Sequence, residues 1–392
     1  MSPWNVMQYR LLLAGDRADF TTLGLDLKTG KLSILANYAA PFNASWVELS
    51  SSQRGLDQLV GLSEGVESGL LYTFEIDHLK RACTITSQLP TLGAPGHFIK
   101  LRDNAALALG TYLGGSIALY PISMTDDGKM LLQNAPRAEI LPDFPYQSVG
   151  HGPNKGRQQQ CHVHQILEDS RGILYAPDLG SDRVWILRRD GVQHLEVCGW
   201  LQCPPGTGAR HAVLTPNETI MYVIGELSHT VIAFDVSAAP ADGIPPIDGF
   251  APSIIPPEVH PDHQGMMDSA EICLHPSIPN VIYASNRWER HIAQREPYLR
   301  NVPRDLLPGD AIAIILLSSD GRKVIDIKHV RTGVDVIRGM RLSDDGRYVV
   351  VVGQEAGGVE VYEINGNKGD KWTLVAAMKE GLENGIKHAI WL

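Results

Sequence analysis

The chain has 392 residues, of which 44% are hydrophobic and 20% charged, with a formal net charge of -10. That balance lies near the globular average and excludes disordered, collagen-like and disulfide-scaffold classes. The acidity argues against nucleic acid or an anionic membrane surface as a partner, and no apolar run reaches the roughly 18 residues that mark a membrane span.

In chain order, the N-terminus Met1-Ser-Pro-Trp-Asn5 lacks the basic start and apolar stretch of a secretory leader. Five cysteines, none in a CxxC pair, fit reduced thiols in a cytoplasmic protein; Cys198 and Cys203 are close but make a poor disulfide framework. Asn43-Ala-Ser and Asn217-Glu-Thr match the glycosylation pattern, which carries little weight in such a chain.

A phrase then recurs: a short strand, a turn rich in Asp, Ser, Asn or Gly, a more apolar strand, a Gly-containing turn and an alternating strand. Looser copies begin near Ser45, Gly96 and Ser269, and the clearest begin at Cys161, Ala209 and Ile337. Asp126-Asp-Gly and Asp344-Asp-Gly carry hairpin turn chemistry. Those six copies leave the two ends over. Joining Gly385-Ile-Lys-His-Ala-Ile-Trp-Leu392 to strands around Gln8 and Thr22 makes a seventh. The predicted fold is all-β: a seven-bladed β-propeller of four-stranded antiparallel blades, closed by the N- and C-terminal strands, with residues 1–392 as one domain. The connections near 123–160 and 237–268 read as loops over one face, the second stiffened by seven prolines. Helix has little place, and Lys371 to Glu383 is the hardest stretch to assign.

Equivalent positions in successive blades form a ring around one axis. His162 and Asp178, Arg210 and Glu226, Glu271 and Arg287, and Arg338 and Gln354 are each sixteen residues apart. His164 and His211 stand beside them, and Asn286 precedes Arg287. Histidines, arginines and carboxylates gathered at one mouth are the pattern of an anion-handling catalytic site. The structural alternative is an ion-pair network that closes the ring. For Asp178 and Asp182 the better reading is a turn whose carboxylates cap backbone amides.

Six strings resemble one family in their order and spacing: Cys161-His-Val-His164, Asp178-Leu-Gly-Ser-Asp-Arg183, Gly208-Ala-Arg-His211, Gly225-Glu-Leu227, Ser285-Asn-Arg287 and Ile337-Arg338. The family is the seven-bladed propeller lactonases, which include propeller-type 6-phosphogluconolactonases and fungal 3-carboxy-cis,cis-muconate lactonizing enzymes. The resemblance is strongest from about 160 to 364 and weak before residue 95. The muconate enzymes of that family use a His, two Arg and a Glu, which by motif fall on His164 or His162, Arg210, Arg287 and Glu226, while Arg338, the paired histidines and Asp178-Leu-Gly resemble the hydrolytic branch. Ala209 and Ile337 stand where the family pattern places a proline.

Lactone opening needs an activated water, a partner for the oxyanion and a handle on the substrate. His164 or Glu226 could take the water's proton, Arg210 could face the oxyanion, and Arg287 and Arg338 could clamp an anionic group. Glu271, His211, Asn286, Gln354 and Asp178 complete the set as substrate-binding candidates. The reading is a hydrolase of a small anionic lactone that needs no cofactor or metal. One alternative is a cycloisomerase that forms a lactone from a carboxymuconate-type substrate. A second is a non-enzymatic binding scaffold, though no blade ends in Trp-Asp and the seven tryptophans follow no repeat position. A metal site on His162 and His164, with His151, His211, His260 or His263 added, is disfavoured by the neighbouring arginines. No Gly-x-Ser-x-Gly elbow, Gly-x-Gly-x-x-Gly loop or phosphate-binding P-loop occurs. The sequence leaves the oligomeric state open.

Overall fold

The computed structural model describes residues 9–53, 55–134, 136–289 and 307–392. Gln8 and the N-terminal pentapeptide lie outside the described residues. The chain forms two compact units, Glu48–Ala251 on the one hand and Met1–Val47 with Pro252–Leu392 on the other. Among the described residues there are seven antiparallel sheets and one four-residue helix, Pro261–Gln264.

In the unit that holds both termini, one sheet runs in the order Ile386–Trp391, Tyr9–Gly15, Asp19–Asp26, Lys31–Ala39. The last strand of the chain pairs with the first described one, Leu12 opposite Ile390, as the split seventh repeat requires. The other two sheets are Asp268–Leu274 to Val324–Arg331 and Asp335–Leu342 to Lys371–Met378, each of four strands in chain order. Lys371–Met378, the stretch hardest to assign from sequence, is thus an outer strand.

The sheet Ala44–Gln53 to Ala82–Leu92, which belongs to the unit Glu48–Ala251 from Glu48 onward, also has four strands in chain order. The next sheet has a broken outer strand: Met130–Leu132 and Ala138–Ile140 both pair with Ile117–Met124. Part of the 123–160 connection is therefore strand and not loop. The sheet built on Leu174–Asp178 follows, and then a sheet of three strands, Ala209–Leu214, Ile220–Gly225 and Thr230–Asp235. Where its fourth strand would stand, the proline-rich segment begins. Prolines have no N–H to donate to a ladder, and the segment makes only scattered bonds: Ile247 N–H to the Ala233 carbonyl at 2.7 Å, and a parallel bridge of Ile244 to Leu201 of the preceding sheet.

The second strands owe their place to continuous apolar runs: Leu174-Tyr-Ala-Pro and Ile220-Met-Tyr-Val-Ile are fully or almost fully buried. Leu174, Ala176 and Leu187 face one neighbouring sheet, and Tyr175, Val184 and Ile186 face the other. A strand buried on both faces loses the polar alternation of a surface sheet. Gly128 and Gly346 take positive φ in the two Asp-Asp-Gly turns, as hairpin chemistry demands.

Candidate functional site

The sixteen-residue spacing has a structural cause. Ala209 pairs with Gly225 and His211 with Ile224, which leaves Arg210 as the extra residue of a β-bulge. A bulge breaks the alternation of a strand and re-aims a side chain. Glu226 opens the turn after the second strand, and its N–H donates to the Gly208 carbonyl at 2.8 Å. The two ends of the spacing therefore meet. Arg210 Nε lies 2.9 Å from Glu226 Oε2, and the two side chains are only 3% and 4% exposed.

A second guanidinium closes on the same carboxylate. Arg157 donates through Nη2 to Glu226 Oε1 and, through Nε and Nη2, to the Tyr112 hydroxyl at 3.3 and 3.2 Å. Its side chain is 35% exposed. A short loop delivers it: Asn154 caps the Gly156 N–H, and Gln158, fully buried, bonds the Leu179 carbonyl at 3.0 Å.

Tyr112 stacks on His162, with ring centroids 4.5 Å apart and 23° between planes. His162 Nδ1 is 2.7 Å from the Tyr112 carbonyl, which only accepts, so Nδ1 carries the proton and Nε2 the lone pair. Burial, ahead of all other causes, lowers the pKa of His162, so it stands neutral at pH 7. The backbone of His162 is pinned by Asp178, whose Oδ1 accepts the N–H groups of His162, Gly180 and Ser181 while Oδ2 accepts Trp185 Nε1–H. Asp178 is fully buried with both oxygens occupied, and so fills the turn-capping role rather than that of a substrate ligand. Asp182 does likewise, accepting the Gly206 and Gly208 N–H groups and the Tyr146 hydroxyl.

His164 and His211 form a buried pair, Nδ1 to Nε2 at 3.1 Å, and the His164 ring meets the edge of Tyr112 at 5.7 Å. His97 approaches His211 with ring centroids 6.0 Å apart. The structure thus gathers His162, His164, Arg210, His211 and Glu226 within one unit.

The remaining candidates belong to the other unit. Arg287 donates through Nη2 to the Ser269 carbonyl at 2.8 Å, and Asn286 through Nδ2 to the Ile254 carbonyl at 2.7 Å. The Glu271 N–H bonds Ser285 Oγ at 3.0 Å, and the Gln354 carbonyl accepts the Gly385 N–H. Arg338, like Arg210, is the extra residue of a bulge, between the pairs Ile337–Gly353 and Gly339–Val352. The shared spacing reports the same backbone device in both units.

Sequence reasoning missed Tyr112 and Arg157. Tyr112 was within reach, because Gly96 and Tyr112 stand sixteen residues apart like the other pairs. Glycine at the first position hid the match. Arg157 lies outside the repeat, and its only local sign is the turn-rich run Gly152-Pro-Asn-Lys-Gly156 before it.

Among the described residues no group of three or more His, Cys, Asp or Glu is arranged to hold a metal ion, and no helix is long and apolar enough to cross a membrane. Residues 14–381 match the family model described as lactonase, seven-bladed beta-propeller. A protein of Arthroderma benhamiae named "Probable 6-phosphogluconolactonase" is 27% identical over 384 residues, covering 93% of this chain and 84% of its own. The 6-phosphogluconolactonase of Enterobacter sp. strain 638 is 23% identical over 292 residues, 74% of this chain and 72% of its own. Among solved structures, the periplasmic gluconolactonase of Pseudomonas aeruginosa covers 98% of this chain and 99% of its own, at a TM-score of 0.74 and 17% identity. That likeness carries the fold alone.

Proposed function

The chain belongs to the seven-bladed β-propeller lactonase family, and from that premise we propose that it hydrolyses a small anionic lactone at the site around Glu226. The observation that carries this reading is a carboxylate held between two guanidiniums, beside a neutral histidine of fixed tautomer.

His162 is the general base. Its Nδ1–H is committed to the Tyr112 carbonyl, so Nε2 presents a lone pair that can take a proton from water as the water attacks the lactone carbonyl. The stack on Tyr112 and the Asp178 clamp hold the ring in that pose. Glu226 is not the base: each of its oxygens already faces a guanidinium, which makes it the fixed point that orients Arg157 and Arg210. Those arginines supply positive charge where the tetrahedral oxyanion develops, in a site largely shielded from water. The oxyanion then collapses, the ring C–O bond breaks, and the leaving alkoxide takes the proton back from His162. His164 and His211 form the buried wall behind the stack. The names 6-phosphogluconolactonase among the relatives support a sugar-acid lactone as substrate. The chain works as a single propeller in the cytoplasm, a reading that its five unpaired cysteines support.

The test is lactone opening followed by NMR on EDTA-treated protein, with 6-phosphogluconolactone and 3-carboxymuconate offered separately. Enzyme-dependent opening of the first supports the proposal. Conversion of the second alone would make the chain a cycloisomerase, and inactivity on both would end the hydrolase reading.

A further inference from the structure

The unit that holds Glu226 carries another half-buried cation, Arg183, which takes no part in the chemistry above. Arg183 opens the strand Arg183–Asp190, and strand alternation puts it on the same face as Trp185. Trp185 stands opposite Trp200 on the neighbouring strand. The guanidinium therefore lies between two indoles, its carbon 4.9 Å from the Trp185 ring centroid and 4.2 Å from that of Trp200. Its Nε is buried and meets no hydrogen-bond acceptor among the described residues. We propose that Arg183, held by Trp185 and Trp200, is the centre of a second site, which binds an oxyanion of the carboxylate or phosphate class and is separate from the lactone site around Glu226.

Three features support the assignment. The indoles are fixed: Trp185 donates Nε1–H to Asp178 Oδ2 at 2.9 Å, and Trp200 donates Nε1–H to Gln202 Oε1 at 3.1 Å. The Trp200 backbone is bonded to the passing proline-rich segment, its N–H to the Ala241 carbonyl and its carbonyl to the Ile244 N–H. A guanidinium packed by rings keeps its edge for other partners, and its donors lie in that plane as a fork that matches two oxygens of one anion. Little side-chain entropy is then lost when the anion docks. The surrounding acids also leave Arg183 cationic. Burial pushes the Cys161 thiol and the Tyr146 phenol up, so both stay neutral at pH 7. Asp178 commits its oxygens to three backbone N–H groups and the Trp185 indole, and Asp242 is exposed. Burial works against the charge on Arg183, ahead of these acids, and a docked oxyanion offsets that cost.

The experiment follows the indole N–H resonances of Trp185 and Trp200 by NMR, assigned through Trp185→Phe and Trp200→Phe. Sodium phosphate and sodium acetate are titrated separately into the full chain, with sodium chloride as the control. In wild type the two resonances should shift and saturate with at least one of the oxyanions, at a dissociation constant of about 1 mM or tighter. The anion that moves them identifies phosphate or carboxylate as the recognised group. Arg183→Met keeps an unbranched side chain between the rings and removes the charge, and should weaken binding by at least about 10-fold. Arg183→Lys keeps the charge without the fork and should fall between the two; it decides alone if Arg183→Met does not fold. The proposal is overturned if neither oxyanion gives a saturating shift, if chloride moves the two resonances as far, or if the variants bind as tightly as wild type. The readout is local to the two indoles, so absence of lactone opening would defeat the hydrolase reading and leave this test standing.

Discussion

Asp182 offers the sharpest test of how the fold presents the site. Its carboxylate accepts the Gly206 and Gly208 N–H groups at 2.7 Å each and the Tyr146 hydroxyl at 2.8 Å, and the residue is fully buried. It fastens its own turn, at the end of one sheet's second strand, to the turn that begins the strand carrying Arg210. Replacing it by alanine strands the buried Gly208 N–H and the half-buried Gly206 N–H, at about 1–3 kcal/mol each with Gly206 at the low end. Burial raises the pKa of Asp182 itself, so some desolvation cost is recovered when the carboxylate is removed. The net expectation is a loss of about 3 kcal/mol. For a cooperative unit of this size, at about 2–4 °C per kcal/mol, that is a fall in Tm of roughly 6–12 °C. Hydrogen exchange should locate the damage, with the Gly206 and Gly208 amides accelerated together. Tyr146→Phe should cost about 1 kcal/mol and leave those two amides protected. A Tm within a degree or two of wild type in Asp182→Ala would refute the reasoning, since the clamp would then be doing no more than offsetting its own burial.

Further outcomes follow from the same geometry. His162→Gln should lower kcat/KM by about 100- to 10,000-fold and abolish the acid limb of its pH profile. In wild type that limb should lie below the ordinary histidine value of 6.5, because burial lowers the pKa and activity needs the neutral ring. Gly180→Ala should impair both stability and turnover: its Cβ would overlap the Gln160 carbonyl and reach 3.0 Å from the His162 ring. A soluble variant of normal Tm and normal rate would contradict that packing. Burial, followed by Glu289 and Asp335, pushes the Asp310 carboxyl up to about 8. A raised carboxyl binds its proton more tightly when folded, so its stabilising contribution is full below pH 3.8 and is lost as pH rises towards 8. Denaturation of Asp310→Asn across that range should show a flatter pH dependence than wild type, and parallel curves would count against it.

The repeat made the architecture readable, because each copy buries one apolar strand on both faces and ends in a turn that names itself through Gly and Asp. The pairing of the chain's two ends was legible for the same reason, as Ile386–Trp391 has the apolar pattern of an inner strand that lacks partners of its own. The spacing of sixteen paired Arg210 with Glu226, and the bulge at Arg210 explains why the two side chains meet. It failed at Tyr112, where the first member of the pair is Gly96, and at Arg157, which no repeat contains. It also could not rank Asp178 against Glu226, since two carboxylates at equivalent positions differ only in what their oxygens meet. Asp178 faces backbone amides and Trp185, whereas Glu226 faces two guanidiniums. Nor could it separate His162 from His164. Their ring nitrogens meet different partners, the Tyr112 carbonyl at His162 and His211 Nε2 at His164, and such contacts are not written in the side-chain sequence.

The most direct test of the central claim is the rate of 6-phosphogluconolactone opening by EDTA-treated wild type, measured against the spontaneous rate and beside His162→Gln. The account predicts strong acceleration by wild type and, in a variant that keeps its fold, a loss of at least about 100-fold. Acceleration that survives unchanged in His162→Gln would contradict it.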